Sequence, residues 1–233
     1  MSPRNLNRGI RRGALEVVAA LLIALLCMPQ SAPARHRNRD AETLPGEFDY
    51  YLLSLSWSPA FCLSSPGAAE CDGPRSYGFI VHGLWPQNEQ GWPQYCNVHV
   101  PVPDEVVQAM ADIMPSRQLV YHEWSAHGTC SGLDPSAFFA LVRRAYASVT
   151  VPALFAEARE PLQRSPDSVA DALLRANAGF APQSVVVTCS GQSVPRLREV
   201  HICLDRDLKP RTCSADALRE ACRAPLLLVA PIR

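Results

Sequence analysis

Two short blocks concentrate the groups of this chain that could do acid/base chemistry. They are Gly78-Phe79-Ile80-Val81-His82-Gly83-Leu84-Trp85-Pro86-Gln87 and His122-Glu123-Trp124-Ser125-Ala126-His127-Gly128-Thr129-Cys130. Imidazole titrates near neutral pH, so one copy can accept a proton while another donates one. Two imidazoles and a carboxylate can therefore run paired proton transfers without a metal or a protein nucleophile. Glu123 and His127 are four residues apart, which on a helix places them within ~40° of each other. That spacing predicts a carboxylate–imidazole pair in which the carboxylate orients the ring and favours its charged form. His122 lies five residues before His127, so the string is His-Glu-x-x-x-His. The zinc-protease signature needs histidines four apart, and no third ligand motif is visible, so no metal is expected. A Gly-rich phosphate loop and a Gly-x-Ser-x-Gly elbow are both absent from the sequence, which excludes nucleotide hydrolases and serine esterases.

The elements that must position these groups are legible in part. Phe48 to Trp57 reads as a strand, with Leu53, Leu55 and Trp57 alternating with Ser54 and Ser56. Ser58 to Arg75, rich in proline and glycine and holding two cysteines, is expected to be a stapled loop. Gly78 to His82 reads as a short strand that stops at Gly83, which would put His82 at a strand end, and Trp85 to Pro101 as irregular. Helices are expected from Pro103-Asp104-Glu105 to Pro115, after Asp134-Pro135, and from Ser165-Pro166-Asp167 to Gly179. Ser184–Ser190, Val200–Leu204 and Leu226–Ala230 read as further strands. Strands without regular βαβ alternation beside segregated helices predict an α+β fold with an antiparallel central sheet.

Composition narrows the setting. Arg4, Arg8, Arg11 and Arg12, an apolar run from Val17 to Met28, and Ser31-Ala32-Pro33-Ala34 predict a secretory signal peptide over residues 1–34. The run is shorter than the ~20 residues of a membrane span, so no membrane anchor is expected. Residues 35–46 read as a flexible lead-in and 47–233 as a single domain. The leader would take four basic residues and Glu16 from a chain with 22 basic and 22 acidic ones. A net charge of about −3 remains, without the basic excess of a general nucleic-acid binder. Eight cysteines follow the leader, an even count that reads as four disulfides formed in an oxidising compartment. Of ~105 possible pairings, clustering favours Cys62 with Cys71, Cys203 with Cys213 nested inside Cys189 with Cys222, and hence Cys96 with Cys130.

Both histidine blocks resemble the active-site segments of the ribonuclease T2 family, the first in His82-Gly83-Leu84-Trp85-Pro86 and the second in His122-Glu123-Trp124 with His127-Gly128-Thr129-Cys130. Their order and spacing, the placement of Cys96 and Cys130, and the paired cysteines near the end extend the resemblance across most of residues 48–230. The resemblance implies a disulfide-stapled α+β fold and an endoribonuclease that needs no cofactor. Such an enzyme cuts single-stranded RNA, with low base specificity, by attack of the 2′-hydroxyl on the neighbouring phosphorus. DNA lacks that hydroxyl and could not be cut. By matching positions, His127 would be the base, His82 the acid, Glu123 a support for the phosphorane and His122 a phosphate contact. A secreted or periplasmic monomer is expected.

One position departs from the family pattern. The family usually has a lysine before the second catalytic histidine, where this chain has Ala126. Arg117 or protonated His122 could supply the missing cation. Alternatively, the chain is a catalytically weakened RNA-binding or secreted effector protein; if only the cation is missing, Ala126→Lys should raise kcat. Trp85 and Trp92 are candidates for stacking on bases, against the plainer reading that they pack beneath the loop. Trp124 reads as a core anchor, and His36, His99 and His201 are assigned no function.

Overall fold

In the computed structural model the described residues are 44–232 apart from Gln192. The leader expected over residues 1–34, His36 and most of the lead-in over 35–46 lie outside them.

The chain order is β1 (Tyr50–Trp57), α1 (Ser58–Ser64), α2 (Ala69–Asp72), β2 (Phe79–Gln87), α3 (Asp104–Met110), α4 (Arg117–Ala126), a 3-10 turn (Gly128–Cys130), α5 (Pro135–Ala147), α6 (Ala153–Ala156), β3 (Leu162–Arg164), α7 (Pro166–Ala176), β4 (Val185–Ser190), β5 (Arg196–Leu204), α8 (Ala215–Leu218) and β6 (Leu227–Val229). The sheet runs β2-β1-β5-β6-β3, with β4 also pairing β5. The fold is α+β. Its sheet is mixed, not wholly antiparallel as expected, because β5 and β6 pair in parallel at Arg196 and Leu228.

Helix starts follow local capping chemistry. Asp134 accepts from Ala137 N at 2.9 Å ahead of Pro135, and Ser165 accepts from Ser168 N at 3.2 Å ahead of Pro166. The segment expected as a stapled loop holds α1 and α2, a helix pair closed by the Cys62–Cys71 disulfide. Pro59 sits in the first turn of α1, where proline interrupts no helical hydrogen bond. β2 passes through His82 and Gly83 and continues to Gln87, so the expected strand end and irregular start at Trp85 are both corrected. Proline is tolerated there because β2 is the edge strand.

The strand alternation of β1 divides the sheet into two faces. Leu53, Leu55, Val81, Leu84, Val200 and Ile202 join Phe138 and Val142 of α5 and Val169 and Leu173 of α7 in the main core. Tyr50, Leu52, Val186 and Cys203 form a smaller cluster on the other face with Cys213 and Ala217, and Trp85 packs against it. Ser54 is paired with His201 and Ser56 with Glu199 in the β1–β5 register, so those four residues belong to this second face. The four disulfides join the pairs that clustering favours: 62–71, 96–130, 189–222 and 203–213. No helix among the described residues is long and apolar enough to cross a membrane.

Candidate active site

A β-bulge aims the first histidine. In the β1–β2 register Ser54 pairs with Gly83 and Leu55 with Val81, which leaves His82 as the extra residue. Val81 and Leu84 both stay in the main core while His82 and Gly83 are spent together on the second face. Without the bulge, residues 82 and 85 would fall on opposite sides of the strand. With it, the His82 and Trp85 rings meet edge to face, their centroids 5.2 Å apart.

The second block sits at the end of α4. Ser116 caps that helix by accepting from Leu119 N at 3.2 Å, and the helix ends at Ala126. His127 leaves the helical path, with φ −126° and ψ −46°, and the Cys96–Cys130 disulfide holds the turn that follows. This exit corrects the expected pairing. The angular step that would set His127 beside Glu123 holds only within a helix, and Glu123 turns instead to Trp85, whose Nε1–H donates to Glu123 Oε2 at 2.7 Å. Glu123 Oε1 lies 3.5 Å from His82 Nε2. His127 stacks on the face of Trp85 at 5.1 Å. The two imidazoles thus share one indole between them.

Gly83 makes this close meeting possible. A Cβ there would overlap Glu123 Oε2 and the indole nitrogen of Trp85, so only glycine lets β2 come up against the carboxylate.

The two histidines have opposite surroundings. Burial disfavours the charged form of His82, but the hydrogen bond and charge of Glu199 and the charge of Glu123 outweigh it, and the His82 pKa is raised. Glu199 Oε1 lies 2.6 Å from His82 Nδ1. For His127, burial together with the charges of His122 and His82 pulls the pKa down to about 3. Burial pushes Glu123 up to about 7, against the charge of His82 and the Trp85 hydrogen bond. The surroundings thus push the two rings in opposite directions, His82 toward its charged form and His127 toward its neutral one, with Glu123 titrating between them.

Two clefts flank this centre. The larger, about 520 Å³, is lined by Phe61, Glu70, His82, His122, Leu119 and Arg198. The smaller, about 150 Å³, is lined by Trp85, Gln87, Trp92, Gln94, His127 and Glu220. Trp92 is exposed and faces this smaller cleft, so it does not pack beneath a loop. Trp85 has its ring engaged by His82, His127 and His201, and it organises the site more than it offers an open platform. Trp124 is buried, with its Nε1–H donating to Val100 O at 2.7 Å, as a core anchor would be.

Three further expectations change. Arg117 is bonded to Asp104 at 2.9 Å and to Tyr121 at 3.2 Å; the arginine that lines the larger cleft is Arg198. Ala126 is 1% exposed, so a lysine could not be added there without displacing its surroundings. His201, assigned no function from sequence, is buried and bonded to Glu199 at 3.0 Å. Glu199 itself was missed, although Glu199 and His201 are two apart in a strand and so share a face. Among the described residues no group of three or more His, Cys, Asp or Glu is disposed as metal ligands would be.

In this α+β fold a bulged strand that carries one histidine, and a helix end that carries another, bring two imidazoles together on one indole beside a buried carboxylate. The Ribonuclease T2 family model matches residues 48–213, and the chain belongs to that family. A ribonuclease of Aeromonas hydrophila is 41% identical over 122 residues, 52% of this chain and 54% of its own, so the match spans about half of that relative. Ribonuclease DdI of Dictyostelium discoideum is 27% identical over 213 residues, 83% of this chain and 89% of its own. Among solved structures, an RNase-related protein from Calystegia sepium superposes with a TM-score of 0.64 at 22% identity, covering 80% of this chain and 98% of its own. That likeness shows the fold.

Proposed function

We propose that this chain is an exported endoribonuclease that cleaves single-stranded RNA with low base specificity and needs no metal or other cofactor. One observation carries the reading. Two imidazoles lie against a single indole, one ion-paired to carboxylates and the other buried away from them.

That asymmetry suits transesterification. His127, neutral, takes the proton of the 2′-hydroxyl as its oxygen bonds to the adjacent phosphorus. His82, charged, gives a proton to the departing 5′ oxygen as the P–O5′ bond breaks. The products are a 2′,3′-cyclic phosphate and a free 5′-hydroxyl. In the second step the roles reverse: His82 takes a proton from water, which attacks phosphorus, and His127 protonates the leaving 2′ oxygen to give a 3′-phosphate. Neither step needs a metal, because RNA supplies the nucleophile and the histidines carry the protons. DNA, with no 2′-hydroxyl, is not a substrate.

Charge on the phosphoryl oxygens has to be met without a lysine at position 126. Glu123, with a pKa of about 7, can carry a proton and donate it as a hydrogen bond to a phosphoryl oxygen. Arg198, which lines the larger cleft, supplies positive charge, and His122 lines the same cleft as a phosphate contact. Nucleosides on either side of the linkage occupy the two clefts, one of them stacked on Trp92. The leader expected from the sequence and the four disulfides support export to the periplasm or beyond.

The test is product-end analysis of single-stranded RNA digested by purified protein in EDTA, with His127→Ala alongside. Cyclic-phosphate ends formed by wild type and lost in the variant are expected. Dependence on added metal would sink the mechanism. Equal inertness of the two proteins would favour a ribonuclease-fold RNA-binding protein instead.

A further inference from the structure

Behind His82 lies a polar array that the acid/base scheme does not use. Glu199, on β5, is 2% exposed, and so is His201 two residues further on. One carboxylate oxygen of Glu199 is 2.6 Å from His82 Nδ1 and the other is 3.0 Å from His201 Nε2. The far side of the His201 ring, Nδ1, lies 3.4 Å from Glu220 Oε2 at the smaller cleft. The His201 ring also meets Trp85 edge to face at 5.5 Å. A buried carboxylate between two imidazoles is costly to desolvate, and apolar side chains of like volume would commonly hold a sheet as well. Stability alone therefore does not account for it.

We propose that Glu199, itself held by His201, is the positioning residue for His82. This rests on the reading of His82 as the general acid. Glu199 binds Nδ1–H and so leaves Nε2 as the nitrogen presented toward Glu123 and the scissile linkage, consistent with the 3.5 Å between Nε2 and Glu123 Oε1. His201 holds the second oxygen at 3.0 Å, with longer bonds from Arg198 to that oxygen and from Ser56 to the first, both 3.4 Å, and so stops the carboxylate from rotating away. Fixing one ring nitrogen by a carboxylate sets both the tautomer and the direction of the other. The bulges contribute, since His82 is the extra residue in the β1–β2 register and Arg198 the one in β4–β5.

Other charged groups also act on His82. Arg198 reaches it from β5, Glu123 from α4, Glu70 from α2 and the titratable His127 from the end of α4, while His122 of α4 lines the same cleft. Among the described residues Glu199 is the group hydrogen-bonded to the ring.

The experiment is an NMR titration of the His82 ring in the full protein, wild type against Glu199→Gln and Glu199→Asp, with RNA-cleavage pH profiles in parallel. Removing a carboxylate at this range should lower the His82 midpoint by about one unit or more. The alkaline limb of kcat should move down with it, and Glu199→Asp should recover part of the shift. A packing role alone would lower kcat without moving either midpoint, so an unmoved His82 midpoint in folded Glu199→Gln overturns the proposal. If that variant does not fold, Glu199→Asp carries the test, and a midpoint equal to wild type is the refuting result. His201→Leu, which removes the nearer of the two donors to the second oxygen and leaves Arg198 at 3.4 Å, should lower kcat severalfold at unchanged KM, and His201→Gln should restore it; equal losses overturn the part given to His201. Were wild type to cleave no RNA while the Glu199→Gln shift still occurred, the ribonuclease reading would fail and the support of His82 would stand.

Discussion

Gly83→Ala tests the assembly of the site from its tightest point. A Cβ at residue 83 would sit where Glu123 Oε2 and the Trp85 indole nitrogen already meet. β2 is fixed on its inner face by Val81 and Leu84 in the core, so the backbone cannot retreat, and the Trp85–Glu123 hydrogen bond at 2.7 Å has to break. Overpacking costs ~1–3 kcal/mol, and loss of a hydrogen bond to a charged group ~1.5–3 kcal/mol more. A total of about 2.5–6 kcal/mol follows, which at ~2–4 °C per kcal/mol for a domain of this size lowers Tm by at least ~5 °C. The informative comparison is with Trp85→Phe. Once the indole nitrogen is gone, Glu123 is free to move aside, so Gly83→Ala should cost at least ~1 kcal/mol less in that background. Urea unfolding of the four proteins with disulfides intact gives the cycle, and RNA cleavage should show kcat falling in both single variants. Additive stabilities, or a Gly83→Ala protein within ~0.5 kcal/mol of wild type, would refute the claim that residue 83 is the gap through which Trp85 reaches Glu123.

The pH profile should be broad and displaced to the acid side. His127 must be neutral, which holds above about pH 3, and His82 must be charged, which holds below a pKa raised above 6.5; a narrow bell with its acid limb near 6.5 would contradict these environments. Trp92→Ala should raise KM roughly 5-fold or more, as loss of ~1–3 kcal/mol of stacking requires, and leave Tm unchanged because the ring is exposed. Thermal unfolding alongside steady-state kinetics distinguishes that from a packing role. Ala126→Lys should lower stability by ~1–3 kcal/mol by overpacking a buried position, seen as a lower Tm with no gain in kcat. Arg198→Ala should slow cleavage with a larger effect on kcat than on KM if its charge meets the phosphoryl oxygens in the transition state, measured on a dinucleotide substrate.

The residues of the candidate site were legible because their types are scarce and their neighbours distinctive. His82, His122, Glu123 and His127 stand out by kind, and the cysteine spacing indicated the pairings, two of them closing short loops and the other two following by nesting and elimination. Helix starts at Asp134 and Ser165 were readable from side chains that cap their own backbone. What joins what was less legible. The pairing of Glu123 with His127 followed from helical geometry that ends one residue too early. The bulge at His82 depends on how β1 lies beside β2, and no local pattern in Gly78–Gln87 announces a skipped partner.

By itself, then, the chain's sequence determined an α+β protein, its ribonuclease T2 resemblance and the histidines and carboxylate that gather at the candidate site. The fold alone decided their partners. Glu199 and His201 lie more than a hundred residues from His82, and their ladder neighbours on β1 are two serines that read as ordinary outward positions of a strand. Strand pairing brings such residues together across any sequence distance, and burial then changes their proton affinities by an amount set entirely by what surrounds them. That is why His82 and His127, the same side chain twice, have their proton affinities pushed in opposite directions only once the protein has folded.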